Sequence, residues 1–193
     1  MPSEEPPPHT TLHDGESCLI ITGAPAAGKS TVSRLVAGRL GRSALLDGDL
    51  MDELIVNGRV WALGQPADEA ARQVALSRRN LCALAANFAD AGFTPVLDTL
   101  VPHRAHLDAL LEALHPRRVL LVVLAPAIEV CRHRNTIRPE LEQFFFDDYQ
   151  ALTTTMRTSF GSLGWWLDTS ALTAEETATQ VLAEAATLAA RGL

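Results

Sequence analysis

Cys18-Leu-Ile-Ile-Thr-Gly23-Ala-Pro-Ala-Ala-Gly28-Lys29-Ser30 decides the fold of this chain. Cys18 to Thr22 is a short apolar, β-rich run. Gly23 to Ser30 matches G-x-x-x-x-G-K-[ST]. Val32, Leu35, Val36 and Leu40 then recur at helical spacing until Gly41 closes the helix. A strand, a glycine loop and a helix in this order aim successive backbone N–H groups and the positive end of the helix dipole at one point, which suits phosphate. Gly23, Ala24, Pro25, Ala26, Ala27 and Gly28, with Lys29, Ser30 and Thr31 opening the helix, are the expected phosphate-lining residues. Lys29 is the single lysine of the chain, against fifteen arginines. A compact ammonium reaches β- and γ-phosphates where a planar guanidinium would crowd them. The Ser30 hydroxyl is placed to ligate Mg²⁺.

Composition bounds the remainder. The 193 residues suffice for one domain with its own core, and the net charge of −7 argues against a nucleic-acid or membrane-surface footprint. Cys18, Cys82 and Cys131 show no metal-ligand spacing and read as buried, reduced thiols of a cytoplasmic protein. The longest apolar run, Val119 to Ile128, contains Pro126 and is about half a membrane span. Residues 1–15, rich in proline and acid, read as a disordered tail before a domain of residues 16–193.

Apolar strands alternating with amphipathic helices predict an α/β fold with an open parallel sheet covered on both faces. The expected strands are 18–22, 43–47, 94–98, 118–124 and 165–168. Helices are expected at 28–40, 49–57, 68–91, 103–115, 127–138, 139–159 and 174–191, the last started by a Thr173/Glu176 capping box. Ligands of such sheets bind beyond the carboxyl ends of the strands. That rule selects Gly23 to Ser30, Asp47 to Asp49, Asp98 to Arg104, Ala125 to Pro126 and Asp168 to Ser170.

Asp47-Gly-Asp49 stands directly above the second strand. An aspartate there can position an acceptor hydroxyl and take its proton during phosphoryl transfer. Asp49 is the candidate base, and Asp47 a contact to Mg²⁺ through water; the bland alternative makes Asp49 the cap of the next helix. Asp98 ends the third strand. Were that strand beside the first, Asp98 would meet Ser30 and hold a Mg²⁺-bound water. Arg132, Arg134 and Arg138 gather on one expected helix before Phe144-Phe-Phe-Asp-Asp-Tyr149. Arg134 and Arg138, four apart, could clamp a polyphosphate, or form a solvated face paired with Glu129, Glu140 and Glu142. Trp61, Arg72, Arg78 and Arg79 lie where an acceptor pocket would be built, although Trp61 could equally be core. Thr99 and His103 follow Asp98 as candidate substrate-lining residues, and His103 with His106 completes no metal site.

The phosphate loop, the Asp-Gly-Asp, the arginine-bearing lid and Leu167-Asp-Thr-Ser170 together resemble the small P-loop kinases, among them adenylylsulfate, gluconate and shikimate kinases and chloramphenicol phosphotransferase. The likeness spans about residues 18–190. It implies a P-loop NTPase three-layer fold with a five-stranded parallel sheet in the order 2-3-1-4-5, a helical lid, ATP as donor and a small-molecule hydroxyl as acceptor, either antibiotic or metabolite. It further implies Asp49 as the deprotonating residue, Arg134 and Arg138 as lid arginines, and Asp168, Thr169 and Ser170 as neighbours of adenine. Asp98-Thr99-Leu100 stands where shikimate kinases carry a glycine triplet, so the acceptor stays open. The expected assembly is a monomer or homodimer. The competing readings are a zeta-toxin-like nucleotide-sugar kinase and a nucleotide-dependent switch ATPase; a polynucleotide kinase would need a basic groove.

Overall fold

The computed structural model describes residues 12, 16–140, 143, 145–190 and 192. The expected tail therefore lies outside the described residues except for Leu12, which is buried in the core. Five strands, β1 (Ser17–Gly23), β2 (Ser43–Asp47), β3 (Thr94–Asp98), β4 (Arg118–Leu124) and β5 (Trp165–Leu167), form one sheet in the order β2-β3-β1-β4-β5. Every pairing is parallel, as the sequence rhythm and the resemblance led one to expect.

Because successive strand side chains point to opposite faces, each strand feeds two cores. Leu19, Ile21, Leu120, Val122 and Leu124 join the helices α1 (Lys29–Arg39) and α7 (Ala174–Leu188) on one face. Cys18, Ile20, Val119, Leu121 and Val123 meet α3 (Ala67–Asp90), α4 (Arg104–Leu114) and α6 (Tyr149–Phe160) on the other. Burial on both faces explains why β1 and β4 read as continuous apolar runs. All three cysteines are buried and free. Among the described residues no helix is long and apolar enough to cross a membrane.

Four expected helices come out appreciably shorter. α2 covers Gly48–Glu53 rather than 49–57, and its end tightens as the Ile55 N–H donates to the Asp52 carbonyl at 3.3 Å. α5 is Ile128–Thr136, since Pro139 disfavours helical backbone at Arg138 before it. α6 begins at Tyr149 instead of residue 139, with residues 141, 142 and 144 of the expected helix outside the described set. The final helix ends at Leu188; residue 191 of the expected span is likewise outside.

The capping box is present. Thr173 Oγ1 accepts from the Glu176 N–H at 3.1 Å, and the Thr173 N–H donates to Glu176 Oε2 at 2.8 Å. Arg39 ties α1 to α7 by donating to Thr179 Oγ1 at 2.9 Å. Thr173→Ala is expected to lower global stability by about 1 kcal/mol, the usual worth of an N-cap, read as a lower urea midpoint at unchanged m-value.

Candidate active site

The site grows out of the register of β1. Ile21 pairs with Asp98, and Asp47 pairs with the same residue from the other side, so the ends of β2 and β3 deliver Asp47 and Asp98 side by side next to β1. On the opposite flank Gly23 pairs with Leu124 so closely that a Cβ on Gly23 would stand 2.5 Å from the Leu124 carbonyl oxygen. Gly23 also holds a φ of 153°, and Gly28, at 103°, starts α1 from the left-handed region. Both glycines of the loop thus meet a requirement only glycine fills cheaply.

Lys29 folds back over this loop and donates to the carbonyl oxygens of Gly23 at 3.2 Å and Ala24 at 3.3 Å. Burial pushes its pKa down, and the carboxylates of Asp98 and Asp49 push it back up. Asp98 is buried and accepts a hydrogen bond from the Ser30 side chain. Desolvation raises the Asp98 pKa, while Ser30 and Lys29 oppose the rise. The condition set by the sequence, the third strand lying beside the first, is met.

Asp47 and Asp49 divide their roles. Asp47 Oδ1 accepts from the Asp49 N–H at 2.9 Å and is the N-cap of α2, so the capping role weighed for Asp49 falls to Asp47. Asp49 itself is exposed in the first turn of that helix. Its pKa is raised first by desolvation and then by the charge of Asp47, with Asp52 and Glu53 adding to the rise and Lys29 opposing it. Gly48 between the two acids lets this turn approach Thr99, whose Oγ1 would be 2.8 Å from any Cβ there. Thr99 is held in turn by donating its N–H to the Ile21 carbonyl at 3.3 Å, and the Val101 N–H donates to buried Thr22 Oγ1 at 2.9 Å.

Arg134 lies against the phosphate loop. It donates to the Ala27 carbonyl at 3.0 Å and to the Thr169 carbonyl at 3.1 Å, bridging the loop to the β5–α7 connection. A cavity of about 320 Å³ opens here, lined by Gly28, Thr31, Arg134, Thr169, Leu172 and Thr173. The Thr169 hydroxyl is buried with no hydrogen-bond partner among the described residues. Asp168 turns the chain: Oδ1 accepts from the Ser170 N–H at 2.9 Å and hydroxyl at 2.6 Å, which holds its carboxyl below the usual range.

The shared helical face expected for the arginines does not form. Arg138 lies beyond the end of α5, although its charge still reaches Lys29. Arg132 instead stands over the Tyr149 ring at 5.8 Å. Arg72 is engaged on the surface of α3 by Asp68 at 3.1 Å and Glu69 at 2.8 Å, so its charge is already answered. Trp61 is exposed, which removes the core alternative. His103 caps α4, accepting from the His106 N–H at 3.3 Å, and burial drives the His106 pKa to about 4.

Sequence reasoning missed Arg157. Its guanidinium stacks on Trp166 at 4.6 Å, and both line a second cavity of about 250 Å³ with Gly23, Ala24, Met156 and Asp168. Arg157 lies inside a helix, and a rule that inspects strand ends passes over it.

Ser30, Asp47 and Asp98 offer hard oxygen donors, the chemistry that suits Mg²⁺. Among the described residues no cluster of three or more His, Cys, Asp or Glu side chains forms a metal cage of its own. The fit is that of an ion held by a hydroxyl, waters and substrate phosphates rather than by protein alone.

A family model described as an AAA domain matches residues 19–161. No curated protein matches the sequence. Among solved structures, a sugar kinase from Janibacter sp. HTCC2649 aligns with a TM-score of 0.63 at 21% identity, over 86% of this chain and 92% of its own. The Mycobacterium tuberculosis APS kinase in complex with AMPPNP and APS gives 0.59 at 20% identity, over 87% and 95%. A gluconokinase from Sinorhizobium meliloti 1021 gives 0.59 at 20% identity, over 91% and 95%. The fold is thus that of the small P-loop kinases.

Gly23→Ala is expected to leave the far-ultraviolet circular dichroism intact and to weaken binding of a fluorescent ATP analogue by about tenfold or more, since the loop must move off Leu124. Unchanged affinity would show that the close approach is not needed for phosphate capture.

Proposed function

This chain belongs to the AAA domain family, and on that premise we propose that it is an ATP-dependent phosphotransferase that moves the γ-phosphoryl group to a hydroxyl of a small molecule. The observation that carries the reading is the division between Asp47 and Asp49. One acid is spent on the helix cap, and the other stands exposed under the electrostatic influence of Lys29.

In this reading the backbone of Gly23 to Gly28 cradles the phosphates, and Ser30 and Asp98, with Asp47 through water, would hold Mg²⁺. ATP is the phosphoryl donor and ADP the leaving group, and Mg²⁺ when bound would neutralise the charge that develops between them. Lys29 leaves the Gly23 and Ala24 carbonyls for the phosphate oxygens, a short reach because it already lies over the loop. Asp49 accepts the proton of the acceptor hydroxyl, and its raised pKa makes it a stronger base than an ordinary aspartate. Arg134 and Thr169 wall the cavity beyond the loop, where a nucleobase would lie beside the guanidinium and near the Thr169 hydroxyl, which has no partner among the described residues. Arg138, whose charge reaches Lys29, would add positive charge near the transferred group in this reading.

The zeta-toxin-like alternative predicts transfer to a nucleotide-sugar, and the switch alternative predicts hydrolysis with no acceptor. A panel of hydroxylated antibiotics, sugars and nucleotide-sugars with labelled ATP separates all three by product.

Lys29→Ala is expected to abolish nucleotide turnover; activity retained in that variant would sink the assignment. Asp49→Asn should keep ATP affinity while transfer falls about a hundredfold or more, because a base acts on the transition state. The wild-type rate should fall as pH drops through the Asp49 pKa, since protonation removes the base. That acid limb lies above the ordinary aspartate value because desolvation, Asp47, Asp52 and Glu53 together raise it against Lys29, and Asp49→Asn should erase it. A limb that survives the substitution assigns the base elsewhere.

A further inference from the structure

Exposed large apolar side chains are concentrated in one stretch of this molecule. Leu50, Leu54, Val56, Trp61 and Leu63 are 53, 65, 94, 63 and 71% exposed, and all follow Asp49 within the connection from β2 to α3. Of the four others among the described residues, Ile137 and Phe145 lie in the connection from α5 to α6. Single apolar side chains on a surface are ordinary, but a group of them marks a surface built to be covered.

The charges of the same stretch are sorted. Asp47, Asp49, Asp52 and Glu53 all fall at its start, and Asp47, Asp52 and Glu53 each act on the Asp49 carboxyl. Arg59 lies further along it, and Arg72, at the start of α3, is answered by Asp68 and Glu69. The cations at the site, Lys29, Arg134 and Arg138, gather around the phosphate loop. The turn at Asp49 is therefore acidic, Arg59 is the one cation of the connection that follows it, and the exposed apolar side chains lie in that same connection.

Resting on the kinase reading above, we propose that the acceptor is an alcohol with an apolar body and no negative charge, held by Leu50, Leu54, Val56, Trp61 and Leu63 with its hydroxyl at Asp49. An acceptor bearing a carboxylate or phosphate would bring like charge toward this acidic turn. Such repulsion at the protein surface costs roughly tenfold to a hundredfold in affinity. A neutral or cationic molecule avoids it and covers the exposed side chains.

The test uses the whole chain, labelled ATP and three para-substituted benzyl alcohols carrying tert-butyl, aminomethyl or carboxylate groups, with gluconate as a polar anionic comparator. The tert-butyl and aminomethyl alcohols are expected to accept phosphate with kcat/KM at least about tenfold above the carboxylate alcohol and gluconate. Trp61→Ala and Leu54→Ser should each raise KM for the tert-butyl alcohol by about tenfold with kcat within about threefold, the mark of lost binding rather than lost chemistry. Calorimetric titration of the same alcohol should weaken in parallel. Preference for the carboxylate alcohol or gluconate overturns this inference and leaves the kinase reading standing. Hydrolysis of ATP without transfer to any alcohol, with Trp61→Ala converting a sedimenting dimer to monomer, overturns both and makes the face a contact between copies.

Discussion

The parallel pairing of β1 with β3 on one side and β4 on the other is the constraint on which the site depends. It seats Gly23 against the Leu124 carbonyl and Ile21 opposite Asp98. A slip of one residue would reverse every buried side chain of β1 between two different cores, so the register is held by the whole apolar content of the sheet. The geometry of the phosphate loop thus inherits the stability of the most deeply buried part of the molecule.

Function is arranged around that fixed centre in order of decreasing burial. Asp98 is enclosed, Lys29 is half-buried over its own loop, and Asp49 is exposed on the short helix α2. In the proposed kinase reading, the enclosed groups would meet the part of the chemistry that is the same for every acceptor. The exposed connections after β2 and α5 hold few buried side chains of their own, and surface segments of this kind are where specificity can change without loss of the core.

Most of the fold was legible because periodicity is a local property. The strand at Cys18, the helix after Gly28 and the capping box at Thr173 each state their structure within a few residues. The strand order came from the family resemblance rather than from spacing. Helix ends are less legible: α2 stops at Glu53 and α5 at Thr136 ahead of Pro139, although the periodicity around them runs further. At the site, Asp49 and Asp98 were readable from their places after strands. Arg134 was selected, but its attachment to the Ala27 and Thr169 carbonyls depends on contacts across more than a hundred residues in one case, and no local pattern encodes them. Arg72 was misleading because its neutralising partners at Asp68 and Glu69 lie on its own helix, and a count of arginines does not subtract them.

The chain has one lysine, and it sits in the phosphate loop with a pKa lowered by burial. Lysine acylation of this chain therefore has one possible side-chain address, and an acyl group there would take the ammonium away from the loop it lies over.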